Sequence, residues 1–272
     1  VADLAARVLE PVVDFGRIAR LWMRATMAYP ASFWMLAVSS PLTTGLDFVA
    51  LVIIFGNVDD LGGFSLTEIG FLYGATGVGI GVADLVVGRV GNLGELVRTG
   101  RLDTMMTKPV PLLVQVCADG FALRRLARVL QSGAVLAWAA TYVDWSPARV
   151  ATTGAMLVSG SLIFAALFVG MSCLQFWTTD TAEVANGFTY GGNTATQYPL
   201  TVFPVEVVKA LTFVLPIAFV NWYPALYVLG RDDPFGLPSW LQHASPLAAV
   251  VCLGACALAW RSGVRHYTST GS

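Results

Sequence analysis

Charge is what this sequence has least of. Asp, Glu, Lys and Arg together make up 12% of its 272 residues, against roughly 25% in an ordinary soluble domain. Apolar residues reach 56%, and the mean hydropathy is +0.68. So little charge cannot cover a water-soluble surface of this size, and so much apolar content excludes a disordered chain. There is no collagen-like repeat, and four cysteines are too few for a disulfide-stapled module of this length. An integral membrane protein is what remains. A net charge of −1 provides no basic field for nucleic acid, so no nucleic-acid partner is expected.

Lysine is nearly absent. Lys108 precedes Pro109 and Lys209 precedes Ala210, so neither can close a phosphate-binding loop, which needs Gly-x-x-x-x-Gly-Lys-Ser/Thr. If ATP drives this protein, another chain binds it, and the chain itself is expected to hold no cofactor. Histidine is equally scarce. His243 and His266 are not placed to help Cys117, Cys173, Cys252 and Cys256, which all lie in or beside apolar runs. A structural zinc site wants four close ligands, so no metal is expected, and no disulfide. The first ~30 residues lack the continuous apolar core of a cleavable signal peptide.

What is present is a series of long apolar runs. A membrane-spanning helix needs about 20 mostly apolar residues, and 31–56, 67–90, 126–143, 150–176, 202–230 and 246–260 are candidates. They are continuous rather than alternating, which predicts an all-α polytopic protein and not a barrel. The basic residues fall in three places. Arg7, Arg17, Arg20 and Arg24 precede the first run. Arg89, Arg98, Arg101, Lys108, Arg124, Arg125 and Arg128 crowd the connection between the second and third. Arg261 and Arg265 follow the last. With an even number of spans all three lie on one side, and Asp59, Asp60, Glu68, Asp144, Asp232 and Asp233 on the other. The positive-inside rule then puts both termini in the cytoplasm.

Before the first run, residues 10–29 carry Asp14, Arg17, Arg20 and Arg24 at helical spacing, opposite Val12, Phe15, Ile18, Ala19 and Trp22. This predicts an amphipathic helix in the cytoplasmic interface, broken by Pro30. The second run has a glycine face, Gly70, Gly74, Gly77, Gly81 and Gly88, suited to close helix contact. Asp84 shares that face, either lining a path or paired with Arg89; Asp47 poses the same choice. Residues 92–108 predict a short charged helix stopped by Pro109 and Pro111, with Met105 and Met106 suited to docking in a groove. On hydropathy, residues 178–198 are a loop. Residues 199–230, with prolines at 199, 204, 216 and 224, fit either one broken span or two short helices that dip into the membrane and return.

Three stretches carry a resemblance. They are Gly100-Arg-Leu-Asp103 through Lys108-Pro109-Val110, then Phe176-Trp177, then Tyr198-Pro-Leu-Thr-Val-Phe-Pro204 with Phe213-Val-Leu-Pro-Ile-Ala-Phe219 and Tyr223-Pro-Ala225. Together they resemble the permease subunit of a type-2 ATP-binding-cassette (ABC) transporter, in the bacterial branch that pairs two different permeases with one ATPase. The resemblance covers nearly the whole chain. It implies a single transmembrane domain of six spans in the bacterial inner membrane, with an N-terminal interfacial helix. Residues 92–108 would be the coupling helix, with Glu95, Arg98, Arg101 and Asp103 on the ATPase. Residues 180–198 would be a fifth, polar span, and 199–230 an outer re-entrant hairpin. A polar span must face protein or water, which makes Asp84, Asn186, Tyr190, Asn193 and Gln197 the translocation-path candidates. In the hairpin, Phe213, Pro216, Phe219, Trp222 and Tyr223 suit a membrane interface and an amphipathic or lipid-like cargo. The implied partners are an ATPase dimer carrying ATP and Mg, a second permease of different sequence, and membrane lipid. The glycine face is expected between the two permeases, and export is the expected direction.

Two other classes compete. A proton- or sodium-coupled secondary transporter would use Asp47, Asp84 or Glu206, but such proteins usually carry an internal repeat, and none is evident. A membrane enzyme would need clustered His, Asp, Glu or Cys in one aqueous pocket, and the two histidines fall on opposite sides of the membrane in this topology.

Overall fold

A computed structural model of the chain describes residues 2–28, 35, 45–46, 48–120, 125–178 and 182–267. Most of those residues are helical, and there is no strand among them. The first, α1 (Ala2–Met27), carries Arg24 in its last turn and is amphipathic along its length. It starts earlier than the predicted residue 10 because Ala2–Leu9 continues the same helix, and it packs beside α5 (Leu112–Ala118). Pro30, Asp47 and most of the first apolar run lie outside the described residues; residues 48–55 are helical.

The centre of the molecule is α2 (Leu66–Val87). A capping box starts it: the Ser65 hydroxyl accepts from the Glu68 amide at 3.4 Å, and the Glu68 carboxylate accepts from the Ser65 amide at 2.9 Å. One 3-10 turn links α2 to α3 (Leu93–Arg98), making a 33-residue helical run. α4 (Arg101–Met106) follows after Gly100, whose φ of 68° is the left-handed turn that separates the two short helices. The predicted single helix over 92–108 is therefore two, set at an elbow.

α6 (Leu126–Ala140) runs back along α2, and α7 (Pro147–Ser172) covers α2 from another side. Ser146 caps α7, and Pro147 sits at the helix start, where its missing N–H costs nothing. Here the glycine face finds its partner. A Cβ on Gly74 would lie 2.6 Å from the Leu136 amide nitrogen, one on Gly81 2.8 Å from Val129 Cγ2, and one on Gly70 2.8 Å from the Trp138 ring. The expectation that this stripe joins two permeases is corrected: it is spent inside the chain, against α6. Periodicity announces a close contact and says nothing of which helix makes it.

α8 (Ala182–Thr196) is a helix where hydropathy predicts a loop. Its hydroxyls bond back to the helix, Thr196 to the Gly192 carbonyl at 3.1 Å and Thr194 to the Tyr190 carbonyl at 3.2 Å. Satisfying polar groups within the segment removes the penalty that makes such a sequence read as a loop. The chain then bends through 74° between Val205–Val214, which opens with α9 (Val205–Lys209), and Pro216–Leu229, which ends in α10 (Trp222–Leu229). Pro216 follows a π-helical turn, so the break sits where the ladder is already interrupted. The last helix is α11 (Ser245–His266).

Among the described residues, three helical runs are long and apolar enough to cross a membrane, or four if the bent pair counts as one span. The buried share of their apolar stretches falls from 78% around α2 to 50% around α7 and 11% in α11. α2 is thus the core helix, and α11 offers most of its surface to lipid or to another chain.

Candidate functional site

Asp84 sits one turn before the end of α2, buried at 9% exposure. Its partner is not the expected Arg89. Arg125, just before α6, lies 3.4 Å from its Oδ1 and also donates to the Asp84 carbonyl at 2.6 Å. The Tyr190 hydroxyl reaches the same Oδ1 at 3.5 Å. Arg89 turns away and donates to the Asp119 carbonyl at 2.7 Å. The sequence favours a neighbour five residues along, whereas the fold brings α6 alongside. Arg128, one turn after Arg125, places its guanidinium 5.9 Å from the centre of the Tyr190 ring, and Phe168 of α7 meets that ring edge-on. A carboxylate, two arginines and a tyrosine from α2, α6 and α8 thus form one cluster at the basic end of the bundle.

The other path candidates divide. Tyr190 is exposed on α8, in line with Glu183, Gly187, Gly191 and Thr194, so a polar and bare-backbone stripe runs down that helix. Asn193 is half-buried with its Oδ1 unpartnered, and Gln197 is half-buried at the end of the helix. The side chain of Asn186 is outside those described. Sequence reasoning missed Asn221, which pins three segments together. Its Nδ2 donates to the Leu72 carbonyl at 3.1 Å, the Thr76 hydroxyl at 2.7 Å and the Thr196 carbonyl at 2.6 Å. A lone Asn inside the aromatic run Phe219–Tyr223 was its only signal.

The elbow of α3 and α4 is the second feature. Glu95 and Arg98 are exposed on its outer surface, as is Met106. The other two coupling candidates are engaged within the chain. Arg101 pairs with Asp119 at 3.1 Å, and Asp103 accepts from the Tyr267 hydroxyl at 2.9 Å. Burial and that hydrogen bond push the Tyr267 phenol up to about 12. Gln175, at the end of α7 and fully buried, accepts from the Gly94 amide at 2.6 Å and donates to the Gly91 carbonyl at 3.0 Å. The elbow is thus fastened to α5, α7 and the end of α11.

The hairpin aromatics are mostly interior. Trp222, Tyr223 and Phe219 are buried. Trp222 meets the Phe64 ring at a tilt of 51°, and the Tyr223 hydroxyl shares a hydrogen bond with Thr212 at 2.9 Å. Their expected place at a lipid interface is corrected, because each ring finds a protein partner first. Phe213 is 67% exposed. With Pro216, Phe219, Val251 and Cys252 it lines an apolar groove of about 410 Å³ between the hairpin and α11. At the other end of α2, Glu68 holds Arg231 in a two-pronged ion pair at 2.7 and 2.8 Å, with Arg231 over the Phe64 ring.

No curated protein and no solved structure matches the chain. The model of one family, described as "ABC-2 family transporter protein", matches residues 42–271. That span takes in the core helix, the elbow, the polar helix and the bent hairpin, and the chain belongs to the ABC-2 family of transporter proteins, as a multi-pass membrane component.

Proposed function

We propose that this chain is one permease half of an ATP-driven exporter, coupled through its elbow to a separate ATPase. The carrying observation is the elbow itself. It lies at the basic end of the bundle, is fastened at three points, and still presents Glu95, Arg98 and Met106 outward. A docking surface for a second protein needs that combination of a rigid base and uncommitted side chains. Six spans would be the run through 48–55, α2, α6, α7, α8 and α11, with Val205–Leu229 as the re-entrant hairpin. The short α6 and α8 would then cross with help from flanking residues and a polar lining.

The path would run along the polar stripe of α8, past Tyr190, Asn193 and Gln197, to the hairpin. An amphipathic cargo suits a route with a polar stripe at one level and an apolar groove at another. A second permease, of different sequence, would cover the exposed faces of α8 and α11. ATP closure of the paired ATPases would drive the elbows together, and only a difference in affinity between the two permease states can shift that equilibrium. The proton- or sodium-coupled alternative gains nothing from the family, and Asp84 is tied to an arginine.

The test is purification of the chain from its native membrane in mild detergent. An ATPase carrying a phosphate-binding loop should accompany it in fixed ratio, and Arg98→Glu should weaken that association at least ten-fold. A chain that purifies alone, or an association indifferent to Arg98→Glu and Glu95→Arg together, would overturn the coupling.

A further inference from the structure

The buried residues of α11 lie toward its two ends. Ser245 and Ala249 are buried at its start and Gly263 near its finish, and nothing between Ala249 and Gly263 is buried. Each end is hydrogen-bonded to a different part of the molecule. At the start, the Ser245 hydroxyl donates to the Phe219 carbonyl of the hairpin at 2.6 Å. Just past the finish, the Tyr267 hydroxyl donates to Asp103 of α4 at 2.9 Å. Phe176 seats that same end. Its ring meets Trp260 edge-on at 5.5 Å and Tyr267 at 6.3 Å, and a Cβ on Gly263 would overlap it. Trp177 faces the His266 ring at 5.7 Å. The Phe176-Trp177 pair that stands out in the sequence is thus the seat of the elbow end of α11.

The sides of α11 are looser than its ends. It runs along α7, but a cavity of about 230 Å³ lined by Ala166, Gly170, Met171, Ala255, Cys256 and Ala259 opens between the two. Close packing locks a helix in place, whereas small side chains around a void leave it room to shift. α2 is the opposite case, pressed along its glycine face against α6. α11 is also stiff. It is an unbroken helix of 22 residues whose proline, Pro246, lies in the first turn, and at 1.5 Å per residue it is ~33 Å long. On the hairpin, Phe219 lies between the break near Pro216 and Asn221, which is held on α2 and α8. A displacement delivered to the Phe219 carbonyl therefore acts on the short stretch beside the break.

We propose that α11 is a connecting rod that carries displacement of the elbow to the hairpin, with Tyr267 and Ser245 as the positioning residues at its two joints. The inference rests on the permease reading for the ATPase that drives the elbow, and it deepens that reading by naming the route from elbow to hairpin. Helix shifts of about 1–2 Å at packed contacts are an ordinary form of such switching.

The test uses the full chain with its ATPase, reconstituted in lipid, in a cysteine-free background. Spin labels at Asp59→Cys and Leu247→Cys report the hairpin end of α11, and labels at Asp59→Cys and Val214→Cys report the hairpin. All three positions are exposed. ATP with Mg and vanadate should shift both distances in the parent. Tyr267→Phe keeps the ring against Phe176 and removes the hydroxyl. It should abolish both shifts while the ATPase stays bound in fixed ratio and still hydrolyses ATP. Ser245→Ala should keep the α11 shift and abolish the hairpin shift, a split that general destabilisation would not produce. Tyr142→Phe, the same hydroxyl deletion at an exposed position, should change neither. Both shifts surviving in Tyr267→Phe, or the hairpin shift surviving in Ser245→Ala, overturns the rod. Loss of ATPase binding in Tyr267→Phe would make that residue a structural brace and overturn it too. A parent complex in which ATP moves neither pair removes the rod and leaves the permease reading standing on its bound ATPase. A parent chain that brings no ATPase overturns the permease reading, and the rod with it.

Discussion

Single residues in this protein act by where they leave polar atoms. Asn221 supplies three donor contacts to acceptors on α2 and α8 from one amide. Asn221→Leu leaves those acceptors short. It should cost about 1–2 kcal/mol, at the upper end for hydrogen bonds between membrane helices. Asn221→Asp should cost more, because it sets a fourth acceptor among them; thermal unfolding followed by size-exclusion recovery orders the three proteins. Cys117 responds to burial in a different way. Its thiol is pushed up to about 12, first by desolvation and then by Cys256. A raised thiol pKa keeps the unreactive protonated form up to that value. Maleimide labelling of a variant with Cys117 as its only cysteine should therefore stay low and flat from pH 7 to 9, where an ordinary thiol, with pKa near 8.5, rises many-fold. A rise like that of the denatured protein would show Cys117 to be open to water.

Among the elements, α2 and α6 are the pair on which the rest is stacked. Gly74→Leu or Gly81→Leu must push Leu136 or Val129 aside. Overpacking of this kind costs typically 1–3 kcal/mol, so folded yield should fall sharply. Gly154→Leu, exposed on α7 with nothing within 4 Å of its Cβ, should leave it unchanged. The sequence makes α2, α7 and α11 plain through apolar length alone, and Pro216 marks the bend. It does not make α8 plain, since Thr194 and Thr196 look like loop residues until their hydroxyls are seen on carbonyls four residues back. Nor could it choose Arg125 over Arg89 for Asp84, because sequence distance favours the near arginine and the fold supplies the far one. The rings of Trp222 and Tyr223 are similar: aromatic composition fits an interface and a core equally well.

At the scale of the whole molecule, charge sorts the two ends. The elbow end carries Arg89, Arg98, Arg101, Arg125 and Arg128, and the other end Asp59, Asp60, Asp144, Asp232 and Asp233. If the basic end is cytoplasmic, as the positive-inside rule predicts, a membrane-impermeant thiol reagent added to intact cells should label Asp59→Cys and Asp232→Cys in a cysteine-free background and spare Arg98→Cys. Inside-out vesicles should give the opposite pattern, and labelling of all three from one side would break the assignment. The fastening of the elbow has a mechanical meaning at this scale. Gln175, Asp119 and Tyr267 bolt it to helices that arrive from three parts of the chain, and the helical run Leu66–Arg98 joins it directly to α2. A push on the elbow is therefore not absorbed by a local hinge. It would turn the bundle as a stiff lever, and the 74° break near Pro216, set against Leu167 and Met171 of α7, would be the joint left to yield.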